Sequence, residues 1–215
     1  MFHSWTGEEF CVTIFNPANI AALIIASSFA AGLNVYATVL TLGLLARVHG
    51  VALPPGLEVL GNWWVIAIAA IMFALEFVAD KIPAFDMIWN ALHTLIRPPI
   101  AALIAYQASH QLSPQMQIVA AVAGGTIAVI SHGSKTAVRA AVTPSPEPVS
   151  NIALSTSEDI IAVGLTWLTT QHPWIAATIA IVLTVCAVLA IRWVIRLLRR
   201  VWKRTPPSAA PAPSQ

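Results

Sequence analysis

Long apolar stretches alternate with short polar ones along this chain, and about six of them approach the ~20 apolar residues that a bilayer-spanning helix needs. The first, residues 20–47, follows the helix-start signal Asn16-Pro17 and carries no charge before Arg47, with Gly32 and Asn34 near its middle. The second, 60–80, has Trp63 and Trp64 near its start, as an interfacial aromatic belt does, and stops at "DKIP". The third, 86–107, is interrupted by Arg97-Pro98-Pro99. "TPSPEPVSN" closes the fourth, 116–142, because successive prolines cannot continue a helix. The fifth, 152–170, carries Glu158 and Asp159, and the sixth, 174–191, is the most uniformly apolar. Beyond it, "RWVIRLLRRVWKR" is a basic amphipathic extension and "TPPSAAPAPSQ" reads as a disordered tail.

The predicted fold is all-α, a polytopic membrane helical bundle of about six spans. The first and fourth spans are each broken by a glycine among polar residues, "AAGLNVYA" around Gly32 and "SHGSKTAV" around Gly133. Three spans per half then predict two inverted halves, the plan of many transporters. The expected organisation is a cytoplasmic segment 1–17, a bundle 18–201 with repeats 18–112 and 113–198, and a cytoplasmic tail 202–215. Six spans put Lys81, Lys135 or Arg139, and the basic run 192–204 on one side, against Arg47 alone on the other, so both termini are expected in the cytoplasm. The basic run serves as a stop-transfer and headgroup anchor. Glu8 and Glu9 stand where a signal peptide needs a basic region, so no cleaved leader is expected.

Composition removes the soluble alternative. Charged residues make up 9% of the chain and hydrophobic ones 58%, with a mean hydropathy of +0.78, whereas a soluble domain carries about 25% charge. Cys11 and Cys186 stand alone, which argues against a disulfide framework and a zinc site, and no metal or cofactor is expected.

The polar residues inside the spans carry the chemistry. An ionisable side chain at mid-bilayer costs at least ~2.5–3.5 kcal/mol, so each must be paired, snorkel to the interface or line a wet cavity. Asp86, Asn90, His93 and Arg97 recur at helical spacing and share one face, which therefore cannot meet lipid. Glu76 and Asp80 form an acidic pair one turn apart on the second span, and Lys135 and Arg139 a basic pair on the fourth. The adjacent carboxylates of Glu158 and Asp159 diverge around their helix, so that one can pair with a base while the other faces a cavity.

The stretches "GLNVYATVLTLGLLARV", "ADKIPAFDMIWNALHTLIRPP", "SHGSKTAVRAAVTPSPEPVSN" and "SED" resemble a family of bacterial integral membrane proteins classified as a domain of unknown function. The resemblance covers residues 26–159, and its most specific part is the "SPEP" segment. It implies a compact multi-span protein of the bacterial inner membrane and names no substrate.

Three functions fit these residues. A small transporter or permease would bind an anionic or zwitterionic solute, including the phosphate head of a lipid carrier. A half-helix starting at Ser134 would offer it backbone donors beside Lys135 and Arg139, with Asn34, Tyr36, His93, Arg97 and His132 completing the binding set. Glu76, Asp80, Asp86, Glu158 and Asp159 would balance the bases or carry a coupling proton. An intramembrane enzyme would use His93 or His132 with a carboxylate, but no HExxH or Gly-x-Ser-x-Gly pattern is present, and no catalytic residue is assigned. In a structural protein the same charges would only lock helices together. Membrane lipids and a small solute are the expected partners, nucleic acid is not, and a homo-oligomer is expected because so small a protein often gains a pathway or buried interface by dimerising.

Overall fold

The computed structural model describes residues 16–142 and 148–204; the side chains of 83–87, 140, 142, 148–151, 198 and 201–204 lie outside the described set. The expected all-helical architecture holds, with no strand among the described residues. The helices are α1 (Pro17–Leu33), α2 (Val35–Val48), α3 (Trp63–Ala79), α4 (Pro83–Ala108), α5 (Pro114–Val142), α6 (Pro148–Gln171) and α7 (Pro173–Arg204), with a 3-10 helix, Pro55–Gly61, before α3. Five of them open on proline, whose fixed φ suits a first turn and whose missing N–H costs nothing there. Asparagine side chains cap α1, α2 and α3: Asn16 accepts from the Asn19 amide, Asn34 from Ala37 and Asn62 from Trp64.

The first candidate span is broken where expected. α1 ends at Leu33, Asn34 is extended at φ −150 and ψ 103, and α2 starts at once. The break, however, reverses the chain. Asn19, at the start of α1, accepts a bond from the Trp174 indole at the start of α7, and Ile20 packs with Leu57, Leu60 and Ala108. Further along, Ser28 lies by Gly124 and Gly32 by Ala128 and Ser131, so α1 runs alongside α5 in the same direction. α2 then returns: Leu42 joins the cluster of Ile20 and Leu57, Gly43 packs on Leu60 and Ile66, and Arg47 lies over the Trp63 ring. α1 and α2 are therefore a re-entrant hairpin whose tip, Gly32 to Asn34, is held inside the bundle. A 17-residue α1 carries that tip about 25 Å in from its starting end.

α1 can be buried this way because it has no polar face. Ala26, Ala30, Ala31 and Gly32 let α4, α5, α6 and α7 approach it closely, and its two serines are buried too. The surrounding helices turn isoleucine, valine and leucine outwards, with Ile88, Leu92 and Leu95 on α4 and Ile118, Val119 and Val122 on α5 all exposed. Such a surface suits lipid. By length and hydropathy, Pro114–Arg139 and Pro173–Leu197 can cross a membrane, and a third element if Pro55–Gly61 and Trp63–Ala79, bent by 68°, count as one.

Several expectations change with this topology. The fourth span is not broken: α5 is continuous through Gly133, so no half-helix begins at Ser134, whose hydroxyl instead donates to the Ser131 carbonyl. One glycine costs a helix about 1 kcal/mol, less than the several kcal/mol of leaving backbone groups unpaired in an apolar interior. α4 likewise runs through Pro98 and Pro99 without stopping. The two halves are built differently, a hairpin opening one and a single helix the other, and α1 is parallel to α5 where inverted halves require opposed directions. Counting the hairpin as a return, the described chain begins and ends at opposite ends of the bundle, contrary to the expectation that both termini share one side. The segments 1–15, "TPSPE" at 143–147, and 205–215 lie outside the described residues.

The tip's packing gives a contrast between two glycines. A Cβ at Gly32 would lie 2.7 Å from the Ala128 oxygen and the Ser131 Cβ, whereas one at Gly133 would meet only the end of Ile191 at 3.5 Å. Gly32→Ala is expected to lower stability by about 1–3 kcal/mol. Gly133→Ala is expected to be neutral or stabilising by up to about 1 kcal/mol. Thermal unfolding of both variants in detergent measures the difference, and equal losses would contradict the continuous α5.

Candidate functional site

The hairpin tip meets a cluster of ionisable side chains from four helices. The carbonyls of Ala31, Gly32 and Leu33 have no following helical turn to bond, as at any helix C-terminus. Two cations fill the gap: Arg97 Nη1 of α4 donates to the Gly32 carbonyl at 3.3 Å, and Lys135 Nζ of α5 to the Leu33 carbonyl at 3.5 Å. Both also sit at the negative end of the α1 dipole. The helix break thus serves the protein's own cations, whereas the sequence suggested that helix ends would offer donors to an anion.

Carboxylates complete the cluster. Arg97 Nη2 pairs with Glu76 Oε1 of α3, both side chains being fully buried. Lys135 Nζ lies 2.8 Å from Asp80 Oδ2, 3.1 Å from Glu158 Oε2 and 3.8 Å from Glu76 Oε1. Arg139 Nη2 reaches the same Asp80 oxygen at 3.1 Å and Glu158 Oε2 at 2.7 Å. Side-chain exposure rises from zero at Arg97, Glu76 and Lys135 to 5% at Arg139 and 11% at Glu158, so the cluster runs from a sealed inner end to a more open one.

The divergence of the acidic neighbours is realised. Glu158 turns to the two bases, while Asp159 Oδ1 accepts from the Asn34 side-chain amide at 2.9 Å. Asn34 therefore caps α2 with its oxygen and holds α6 with its nitrogen.

The histidines form a layer beside the bases. Arginine can only donate, so His132 Nδ1, 2.9 Å from Arg97 Nη1, is the unprotonated ring nitrogen. Its Nε2–H then donates to the Thr94 hydroxyl at 2.9 Å, whose own proton goes to the Asn90 carbonyl. His93 Nδ1–H donates to the Trp89 carbonyl at 2.7 Å, and its Nε2 is hydrogen-bonded to the Tyr36 hydroxyl at 3.1 Å. The Arg97 contact fixes His132 as the neutral Nε2–H tautomer.

Asn34, Tyr36, Glu76, Asp80, His93, Arg97, His132, Lys135, Arg139, Glu158 and Asp159 thus come together. Ser134 does not join them, and the Asp86 side chain lies outside the described residues. The polar face of α4 is buried as expected at Asn90, His93 and Arg97. Thr94 escaped the sequence reading although its place one turn from both Asn90 and Arg97 marked it, and the carbonyls of Gly32 and Leu33 carry no side-chain signal at all. A groove of about 650 Å³, lined in part by Arg47, Glu58, Asn62 and Gln111, lies at the other end of α2, away from the cluster. Among the described residues no group of three or more His, Cys, Asp or Glu is placed to hold a metal ion.

A family model matches residues 21–193, from the start of α1 into the basic turns of α7. The chain belongs to the family described as domain of unknown function DUF4126. Every member of the ionic cluster falls inside the matched DUF4126 region. No curated protein and no solved structure matches the chain. The DUF4126 domain is thus a membrane-like helical bundle with a charged interior.

Removing one member of a buried pair leaves an uncompensated charge. Arg97→Leu is expected to cost about 3–5 kcal/mol in unfolding stability. Adding Glu76→Leu should recover much of that loss, though not the bonds to Gly32 and His132. A denaturation cycle of the two single variants and the double one measures the coupling, and strict additivity would argue against the pair.

Proposed function

We propose that this protein is a small secondary transporter or permease of the bacterial inner membrane for an anionic or zwitterionic solute, a lipid-linked phosphate included. The observation that carries the reading is the ionic cluster at the tip of a helix hairpin that enters the bundle and turns back. Buried ion pairs stabilise poorly, since apolar residues of equal volume often do as well, and within a bilayer they are costly. Non-helical backbone at such depth is tolerated where it is buried in protein or lines a cavity, and ends of broken helices form the binding sites of many transporters.

The pairing pattern supplies a mechanism. Glu158 Oε2 bonds to both Lys135 and Arg139 at the more open end of the cluster. It acts as an internal stand-in for the solute: a carboxylate or phosphate arriving there takes its place on the two cations. The released Glu158 then either binds the ammonium group of a zwitterion or takes up a coupling proton. Lys81, Arg139 and the basic run of α7 gather at that end, which faces the cytoplasm in this reading, and the described N-terminal end faces away. Tyr36, His93 and His132 position the bases, and no catalytic role is assigned.

The closed ion pairs also suit a second reading, in which the cluster only locks the bundle. Proteoliposomes separate the two. Glycine, as a zwitterion, and inorganic phosphate, as an anion, are each offered against an imposed pH gradient. Transport predicts uptake that Glu158→Gln reduces roughly ten- to a hundredfold, the worth of ~1.5–3 kcal/mol from a charged hydrogen bond, while the protein stays folded. No uptake of either solute class, together with loss of fold in every cluster variant, supports the locking role.

A further inference from the structure

The cluster is not electrically balanced. Among the described residues its buried cations are Arg97, Lys135 and Arg139, and its buried carboxylates are Glu76, Asp80, Glu158 and Asp159. The Arg97 donor holds His132 neutral, and His93, bonded to the Trp89 carbonyl and the Tyr36 hydroxyl, lies against no carboxylate among the described residues. If every carboxylate is ionised, one negative charge is left over among these buried groups.

Geometry identifies the carboxylate in excess. Glu76, Asp80 and Glu158 each lie against a cation. Asp159 is 5% exposed, its Oδ1 accepts only from the neutral amide of Asn34, and its Oδ2 is buried without a hydrogen-bond partner. The charged groups that face it are Glu76 from α3, Asp80 at the C-cap of that helix, Lys135 from α5 and its own neighbour Glu158. Lys135 is already shared between Asp80 and Glu158, and the acidic groups oppose a further negative charge. Among the described residues Lys81, between α3 and α4, is a further cation within reach; its ammonium is turned to the Phe77 carbonyl at 2.9 Å and lies over the Phe77 ring. α1 and α2 present Asn34 and no charge.

The geometry points to Asp159 as a proton-binding site, carrying one exchangeable proton that neutralises the surplus charge while the other three carboxylates stay ionised. A neutral hydroxyl without a partner costs far less in such surroundings than an ionised oxygen without one. Binding forms an O–H bond on Asp159 from a proton of the solvent and breaks none in the protein. The assignment rests on charge balance and geometry, so it stands apart from the transport reading and is measured with no solute present.

The full chain in lipid nanodiscs is titrated from mildly acidic to alkaline pH while the infrared carbonyl band of protonated carboxyl groups is followed. Wild type is expected to show one such band at neutral pH that disappears on alkalinisation. The band should be absent from Asp159→Asn and kept in Glu158→Gln. Thermal stability should follow the same course: wild type is most stable with the proton bound and loses stability as rising pH removes it, whereas Asp159→Asn, neutral throughout, does not. Absence of the band in wild type, or its persistence in Asp159→Asn, overturns the assignment. If Asp159→Asn does not fold, the wild-type spectrum and its pH-dependent Tm decide. A wild-type Tm that rises with added sodium at fixed pH, with no protonated carboxyl band, replaces the proton by a metal cation and also overturns it.

Discussion

The bonds from Arg97 and Lys135 to the carbonyls at the end of α1 are what allow the rest of this structure. A helix that ends inside an apolar bundle leaves several carbonyls without donors, and there is no water to supply them. Satisfying them with side chains from α4 and α5 brings two basic side chains into the interior. These then require counter-charges, which come from the end of α3 and from α6. The ionic cluster is thus a consequence of the hairpin, and the hairpin is stable only because of the cluster. Removing one without the other leaves either bare carbonyls or bare charges.

Asn34 links the two requirements. Its oxygen starts α2, which lets the chain reverse with the loss of only one helical residue, and its nitrogen meets Asp159 on α6. Any movement of the hairpin relative to α6 must break or carry along that bond. The contact also explains why the helix break and the acidic fifth candidate span occur in one chain: each supplies what the other lacks.

Much of the site was legible from spacing alone. The i, i+4 and i, i+7 relations among Glu76, Asp80, Asn90, His93, Arg97, Lys135 and Arg139 state which residues share a helical face, and a charged face in a lipid-surrounded helix has to turn inward. The direction of the chain after the break was not legible. Hydropathy is the same for a helix that continues across the bilayer and for one that turns back at an extended residue, because both expose the same apolar side chains. What distinguishes them is contact across long separations, such as Asn19 with Trp174. Gly133 misled for a related reason. "SHGSKTAV" reads as an interruption only while its polar residues lack partners, and Ser131, His132, Lys135 and the Gly133 backbone all find theirs within a continuous helix.

The sign of the site follows from which end of a helix meets it. A half-helix beginning at Ser134 would have presented backbone donors and favoured an anion directly. α1 instead ends there, so its carbonyls take up part of the positive charge of Arg97 and Lys135, and the carboxylates take up the rest. In the transport reading proposed above, an anion enters by exchange with Glu158. On that reading the neutralisation of Glu158, by a proton or by the ammonium group of a zwitterion, is part of binding rather than an addition to it. The pairs are least buried at the Arg139 and Glu158 end, so the proposed exchange begins there, while Arg97 and Glu76 stay sealed against the hairpin tip.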